Sequence, residues 1–144
     1  MRVFSVVAAA SLLAACQKPA ELAAEKGWVR LPAVPGQPGA AYFTVHGGGQ
    51  GDTLIAVGSP AALKAEMHES MKDGQGMTAM TPLKDVAIPA RGEVTFAPGG
   101  KHVMLFSIGP AVKPGQKIPL ALSFAGGKRI DLQAQVVGAG DPPP

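Results

Sequence analysis

From Gly27 onward the chain reads as short apolar segments punctuated by glycine and proline. Trp28 to Ala33 predicts a first strand, stopped by Pro35-Gly36-Gln37-Pro38-Gly39. Ala41 to His46 predicts a second, followed by Gly47-Gly48-Gly49, and Leu54 to Val57 a third, closed by Gly58-Ser59-Pro60. Between Leu63 and Met71, the residues Leu63, Ala65 and Met67 alternate with Lys64, Glu66 and His68. A period of two is the mark of a half-buried strand. Asp73-Gly74-Gln75-Gly76 predicts a hairpin turn, and Met77 to Leu83 the returning strand. Val86 to Ile88 is a short strand ended by proline, and Glu93 to Ala97 another, closed by Pro98-Gly99-Gly100. His102 to Ile108 is strongly apolar and predicts a central strand. Ile118 to Phe124 and Arg129 to Val137 make a last pair around Ala125-Gly126-Gly127. No apolar 3.6-residue period is long enough for a major helix. Eight to ten strands at this spacing predict an all-β domain, an antiparallel Greek-key sandwich or barrel. The domain is expected over residues 27–138, and the 139–144 tail, ending in three prolines, cannot pair in a sheet.

The N-terminus has a different pattern. Arg2 is followed by an apolar stretch from Val3 to Ala15, too short for a spanning helix but suited to a signal-peptide core. It closes on Leu13-Ala14-Ala15-Cys16, which resembles a bacterial lipobox, where the cysteine is acylated and becomes the mature N-terminus. Residues 1–15 are therefore expected to be a signal peptide, and 16–26 a lipidated N-terminus and tether. More than one acyl chain on Cys16 would anchor the protein stably, where one chain is marginal. The expected place is the cell envelope of a Gram-negative bacterium, facing the periplasm. Gln17 after the cysteine favours the outer over the inner membrane.

Composition narrows the function. With 144 residues, 47% hydrophobic and 16% charged, the chain has enough apolar content for one packed core. A net charge of +3 is spread thinly, with Lys128-Arg129 the longest basic run, so a nucleic-acid surface is not indicated. The single cysteine excludes an intrachain disulfide, a Cys-x-x-Cys pair, a thiolate zinc site and an iron–sulfur cluster. There is no Ser-His-Asp grouping, nucleophile elbow, phosphate loop or carboxylate pair, and an enzyme is not expected.

The remaining chemistry lies in imidazoles and thioethers. Four methionines, Met67, Met71, Met77 and Met80, flank the expected hairpin, and a fifth, Met104, follows His102 by two residues. In a strand, His102 and Met104 share a face, and His68 lies opposite to Met67. Met80 lies across the turn from His68. Methionine in a β protein is ordinarily core filler, but two imidazoles and two thioethers at one end of a sandwich would suit a soft metal. Neutral thioethers favour Cu(I) over zinc, magnesium or calcium, and the absence of cysteine from the expected domain argues against blue-copper and CuA centres, which need thiolate. Such donors also survive in an oxidising compartment better than free thiols.

The spacing resembles that of the periplasmic copper chaperone family PCu(A)C, whose signature is His, ten residues, Met, twenty-one residues, His, one residue, Met. Met80 and His102 are separated by twenty-one residues, and His102-Val103-Met104 closes the pattern. The flanking Gly27-Trp28-Val29-Arg30, Glu66-Met67-His68-Glu69, Met80-Thr81-Pro82-Leu83 and Pro98-Gly99-Gly100-Lys101 fit as well. His68 and Met80 are separated by eleven residues instead of ten, an extra residue placed in or just after the Lys72 to Gly76 turn. Met77 is the alternative to Met80, and His46 is read as incidental. The resemblance implies a cupredoxin-like β-sandwich that holds one Cu(I) per chain on His68, Met80, His102 and Met104. It further implies delivery to the CuA centre in cytochrome c oxidase subunit II, directly or through a Sco-type copper protein. The competing reading is an immunoglobulin-like structural or assembly lipoprotein whose methionines and histidines only pack.

Overall fold

The computed structural model describes residues 18–144, so the signal-peptide reading and Cys16 lie outside the described residues. Ten strands and no helix are found there: β1 (Ala23–Arg30), β2 (Gly39–His46), β3 (Asp52–Gly58), β4 (Ala62–Lys72) and β5 (Thr78–Pro82). They are followed by β6 (Val86–Ile88), β7 (Glu93–Phe96), β8 (Lys101–Ile108), β9 (Lys117–Phe124) and β10 (Arg129–Val137). The order is β5-β4-β8-β2-β1-β10-β9-β3-β6, with β7 pairing β2 off this path. One core joins the strands. Val29, Phe43, Leu54, Met67, Phe96, Leu105, Leu122 and Val136 all belong to a single buried cluster. Phe43 and Phe96 stack there with ring centroids 4.5 Å apart. Every strand except β5 sends a buried residue into this cluster.

Two expectations are corrected. The domain does not start near Gly27. Ala23, Ala24 and Glu25 already pair with His46, Val45 and Thr44, and Leu22 packs on the core. The polar residues of Glu25-Lys26-Gly27 mark a break within the strand, not a tether. The register shifts between Glu25 and Trp28, Lys26 takes a left-handed φ of 55°, and a Cβ on Gly27 would meet Leu132 at 2.9 Å. The bulge turns Trp28 back into the ladder, and the strand ends at Arg30, short of the expected Ala33.

The sheet is also not wholly antiparallel. β1 runs parallel to β10, with Trp28, Val29 and Arg30 opposite Gln135, Val136 and Val137. The alternation of apolar residues reports which face is buried and is blind to the partner's direction, so the sequence pattern could not signal this pairing.

The hairpin that carries most of the methionines is regular. Its ladder runs from His68↔Pro82 to Lys72↔Thr78 without a bulge. The turn is closed by the Asp73 amide donating to the Met77 carbonyl at 2.8 Å, and the Asp73 carboxylate accepts from the amides of Gln75 and Met77. Gly76 supplies the left-handed φ of 80° there. The irregular residues are thus confined to 73–77, which is where an extra residue disturbs the paired strands least.

Candidate metal centre

β4 and β8 pair in antiparallel register, with Met67↔Val103, His68↔His102 and Glu66↔Met104 opposite one another. Met67 and Val103 face the core and are 6% and 0% exposed. Alternation then turns Glu66, His68, His102 and Met104 to the other side. On the neighbouring edge strand, Met80 opposes Ser70 and Pro82 opposes His68, which puts Met80 on this same outer face. Four donors that the sequence spreads over 37 positions (104 − 68 + 1) are gathered by three adjacent strands. The gathering place is the sheet face turned away from the core, beside the Pro98-Gly99 turn. The residues alternate with core residues, so they must point away from the core.

The two rings are stacked, with centroids 6.0 Å apart and planes inclined by 25°. Each ring is anchored at one nitrogen. His102 Nδ1 donates to the Gly100 carbonyl at 2.9 Å, and His68 Nε2 lies 3.3 Å from Glu66 Oε2. The other two nitrogens, His68 Nδ1 and His102 Nε2, are buried without a hydrogen-bond partner. Leaving a buried polar atom unpaired costs about 1–3 kcal/mol, so two such nitrogens on cross-strand neighbours call for an explanation. An imidazole whose Nδ1 carries the proton has its lone pair on Nε2, and the converse.

His102, Met80 and Met104 line one cavity of about 270 Å³, together with Ser70, Tyr42 and the Pro98-Gly99 turn. His68 sits beside it, reached through its stacking on His102. Trp28 lies 4.4 Å from Tyr42, centroid to centroid, and Arg30 caps Trp28 at 5.0 Å, so an aromatic wall bounds the far side. Burial pushes the Tyr42 phenol above its usual range, against the opposing charge of Arg30. His102 is 6% exposed, whereas Met80 is 58% exposed. The site is therefore buried at its histidines and open at one thioether.

Met77 does not share this placement. It belongs to the turn, precedes β5, is 67% exposed, and is not among the residues lining that cavity. His46 lies in neither place. Its Nε2 contacts Glu25 Oε1 at 2.8 Å and its Nδ1 contacts Glu93 Oε2 at 3.4 Å, on the ladders joining β2 to β1 and β7. Sequence reasoning missed Glu66. Its signal was available, since a residue two before His68 on a strand shares its face. Lys64 at 2.6 Å is the main cause holding the Glu66 carboxyl below its usual range, with His68 next. Among the described residues, no three His, Cys, Asp or Glu side chains are placed to hold a metal ion. A metal on this face needs thioether sulfur, and two imidazole nitrogens with two thioethers suit a soft monovalent ion.

Comparison with known proteins agrees with the fold. The family model for LpqE-like, described as a lipoprotein family, matches residues 22–136. A protein named as a lipoprotein in Leifsonia xyli subsp. xyli is 34% identical over 113 residues, covering 77% of this chain and 66% of the relative. The chain thus spans just under two-thirds of that relative's length. Among solved structures, it is similar to the copper-bound PCuAC domain of PmoF2, with a TM-score of 0.67 and 23% identity over 85% of this chain and 97% of that one. It is also similar to a protein of Deinococcus radiodurans solved in its Cu(I) form, with a TM-score of 0.58 and 25% identity over 85% of this chain and 80% of that one. The cupredoxin-like all-β architecture is common to them.

Proposed function

This chain belongs to the LpqE-like family, and from that premise we propose that it is a lipid-anchored carrier of Cu(I), one ion per chain. His68, Met80, His102 and Met104 are its ligands in this reading. The observation that carries it is the pair of buried, unpartnered nitrogens, His68 Nδ1 and His102 Nε2, on the face where Met80 and Met104 stand. Neutral nitrogen and thioether donors hold the reduced ion and bind Zn(II) or Ca(II) poorly. The names of the structural neighbours, one copper-bound and one in a Cu(I) form, support the same cargo.

The geometry also suits release. The histidines hold from the buried side, and Met80 is open to solvent. An acceptor's own ligand can displace Met80 first, so the ion passes through a shared intermediate and never enters water. In this proposal the acceptor is the CuA centre of cytochrome c oxidase subunit II, reached directly or through a Sco-type protein. Acylation of Cys16 would hold the domain at the non-cytoplasmic face of a membrane, which in a two-membrane envelope is the periplasm. The names of the family and of the Leifsonia relative support the lipoprotein reading.

Anaerobic titration of the mature chain against a Cu(I) chelator tests the cargo. One equivalent of Cu(I) should be taken up tightly, with Zn(II) unable to displace it. Absence of stoichiometric uptake would instead favour a packing role for these residues.

A further inference from the structure

The two histidines are held by different atoms, and the difference traces to one side chain. Glu66 precedes His68 by two residues on β4 and so stands on the same face, opposite Met104. Its Oε2 meets His68 Nε2 at 3.3 Å while its Oε1 meets Lys64 Nζ at 2.6 Å. Lys64 is in turn seated over the Phe106 ring, 5.4 Å from its centroid. The carboxylate is thus held at both oxygens. We propose that Glu66 is the positioning residue of this site: it accepts a hydrogen bond from His68 Nε2–H, fixes the ring's tautomer, and makes Nδ1 the nitrogen that meets the metal. His102, anchored at Nδ1 by the Gly100 carbonyl, meets the same ion through Nε2. The inference rests on the Cu(I)-carrier reading and deepens it.

Three physical points carry it. A carboxylate can only accept a hydrogen bond, so Nε2 must be the protonated nitrogen of a neutral His68, and its lone pair falls on the buried Nδ1. An imidazole hydrogen-bonded to a carboxylate is oriented and made a stronger donor. Finally, a monovalent ion held by four neutral ligands leaves one uncompensated positive charge, and Glu66 places a negative charge beside it. If Glu66 were only the exposed partner of Lys64, its removal would leave metal binding unchanged, because solvent screens such a surface pair.

The test uses the mature chain, labelled with ¹⁵N at histidine, and Ag(I) as a redox-inert soft monovalent probe. Before metal, His68 should show the Nε2–H tautomer and His102 the Nδ1–H tautomer. Ag(I) should then shift Nδ1 of His68 and Nε2 of His102. Glu66→Ala should mix the His68 tautomers and lower Cu(I) affinity by about 10–100-fold. Glu66→Gln, which keeps an acceptor oxygen, should restore the tautomer and most of the affinity. A metal shift at His68 Nε2, or an unchanged affinity in Glu66→Ala, overturns the positioning role and leaves the carrier reading standing. No metal-induced shift at either ring overturns both.

Discussion

At the scale of single residues, the decisive contrast is between two methionines three positions apart. Met80 is paired opposite Ser70, lines the cavity with His102 and Met104, and stands on the outer face. Met77 belongs to the turn, is exposed, and does not line that cavity. Ligation by Met77 would require the turn to reorganise around Asp73, whose carboxylate holds the Met77 amide at 2.9 Å. Leucine keeps the volume and removes only the sulfur. Met80→Leu should therefore weaken Cu(I) binding by at least tenfold, while Met77→Leu changes it by less than about threefold. Chelator competition reads both. The reverse order would mean that the hairpin carries a different register when loaded. The preference for Met80 came from the family resemblance, which the Met80 to His102 spacing and the nearby Pro82 match. What was not legible was the anchoring of the rings. The Gly100 carbonyl and the Glu66 carboxylate act through distance and direction, which residue identities do not carry.

At the scale of elements, strands were legible where a side chain's burial alternates with its position. β6 and β10 begin and end where the apolar pattern places them, and β4 keeps the alternation that puts Met67 inside and His68 outside. β1 was misjudged because its first half is held largely by pairing and by the polar contacts of Glu25 at its bulge, which an apolar pattern does not report. There, His46 on β2 reaches Glu25 on β1 at 2.8 Å and Glu93 on β7 at 3.4 Å, so an imidazole joins three strands. The hydrogen bond from His46 is the main cause that lowers the Glu25 carboxyl from its usual 4.5, with the charges of His46 and Lys26 adding to it. A carboxyl depressed in the folded state adds stability above its unfolded pKa and loses it as pH falls through its folded value. The stability gap between wild type and Glu25→Gln should thus be present at pH 6, shrink below about 4.5, and vanish in stronger acid. Urea unfolding across pH 3–7 measures it, and a gap that grew on acidification would remove this role from the β1–β2–β7 junction. Copper affinity at neutral pH should be unaffected, since His46 lies away from the outer-face site.

At the scale of the whole molecule, the fold sets strands that share the core against one edge strand that does not. The core is shared by nine of the ten strands, and β5, whose five residues are all exposed, sends nothing into it. β5 is held by its ladder to β4, and it carries Met80, the most exposed of the four proposed ligands. Loading the site should tie β5 to β8 through the shared ion, a link the empty protein lacks. Binding to the folded state alone stabilises it by about 2.7 kcal/mol when free ligand is a hundredfold above Kd. For a domain of this size that is a rise in Tm on the order of 10 °C. Ag(I) should produce this rise in the wild-type chain, and amide exchange in residues 78–81 should slow by more than it does in β9 or β10. In the double variant Met80→Leu with Met104→Leu, the core is untouched and the unliganded Tm should stay close to that of wild type, but the Ag(I) increment should disappear. A rise that persists without both sulfurs would place the ion on nitrogen alone, and a rise without added protection of β5 would mean that the edge strand is not the part of the site that opens to release the ion.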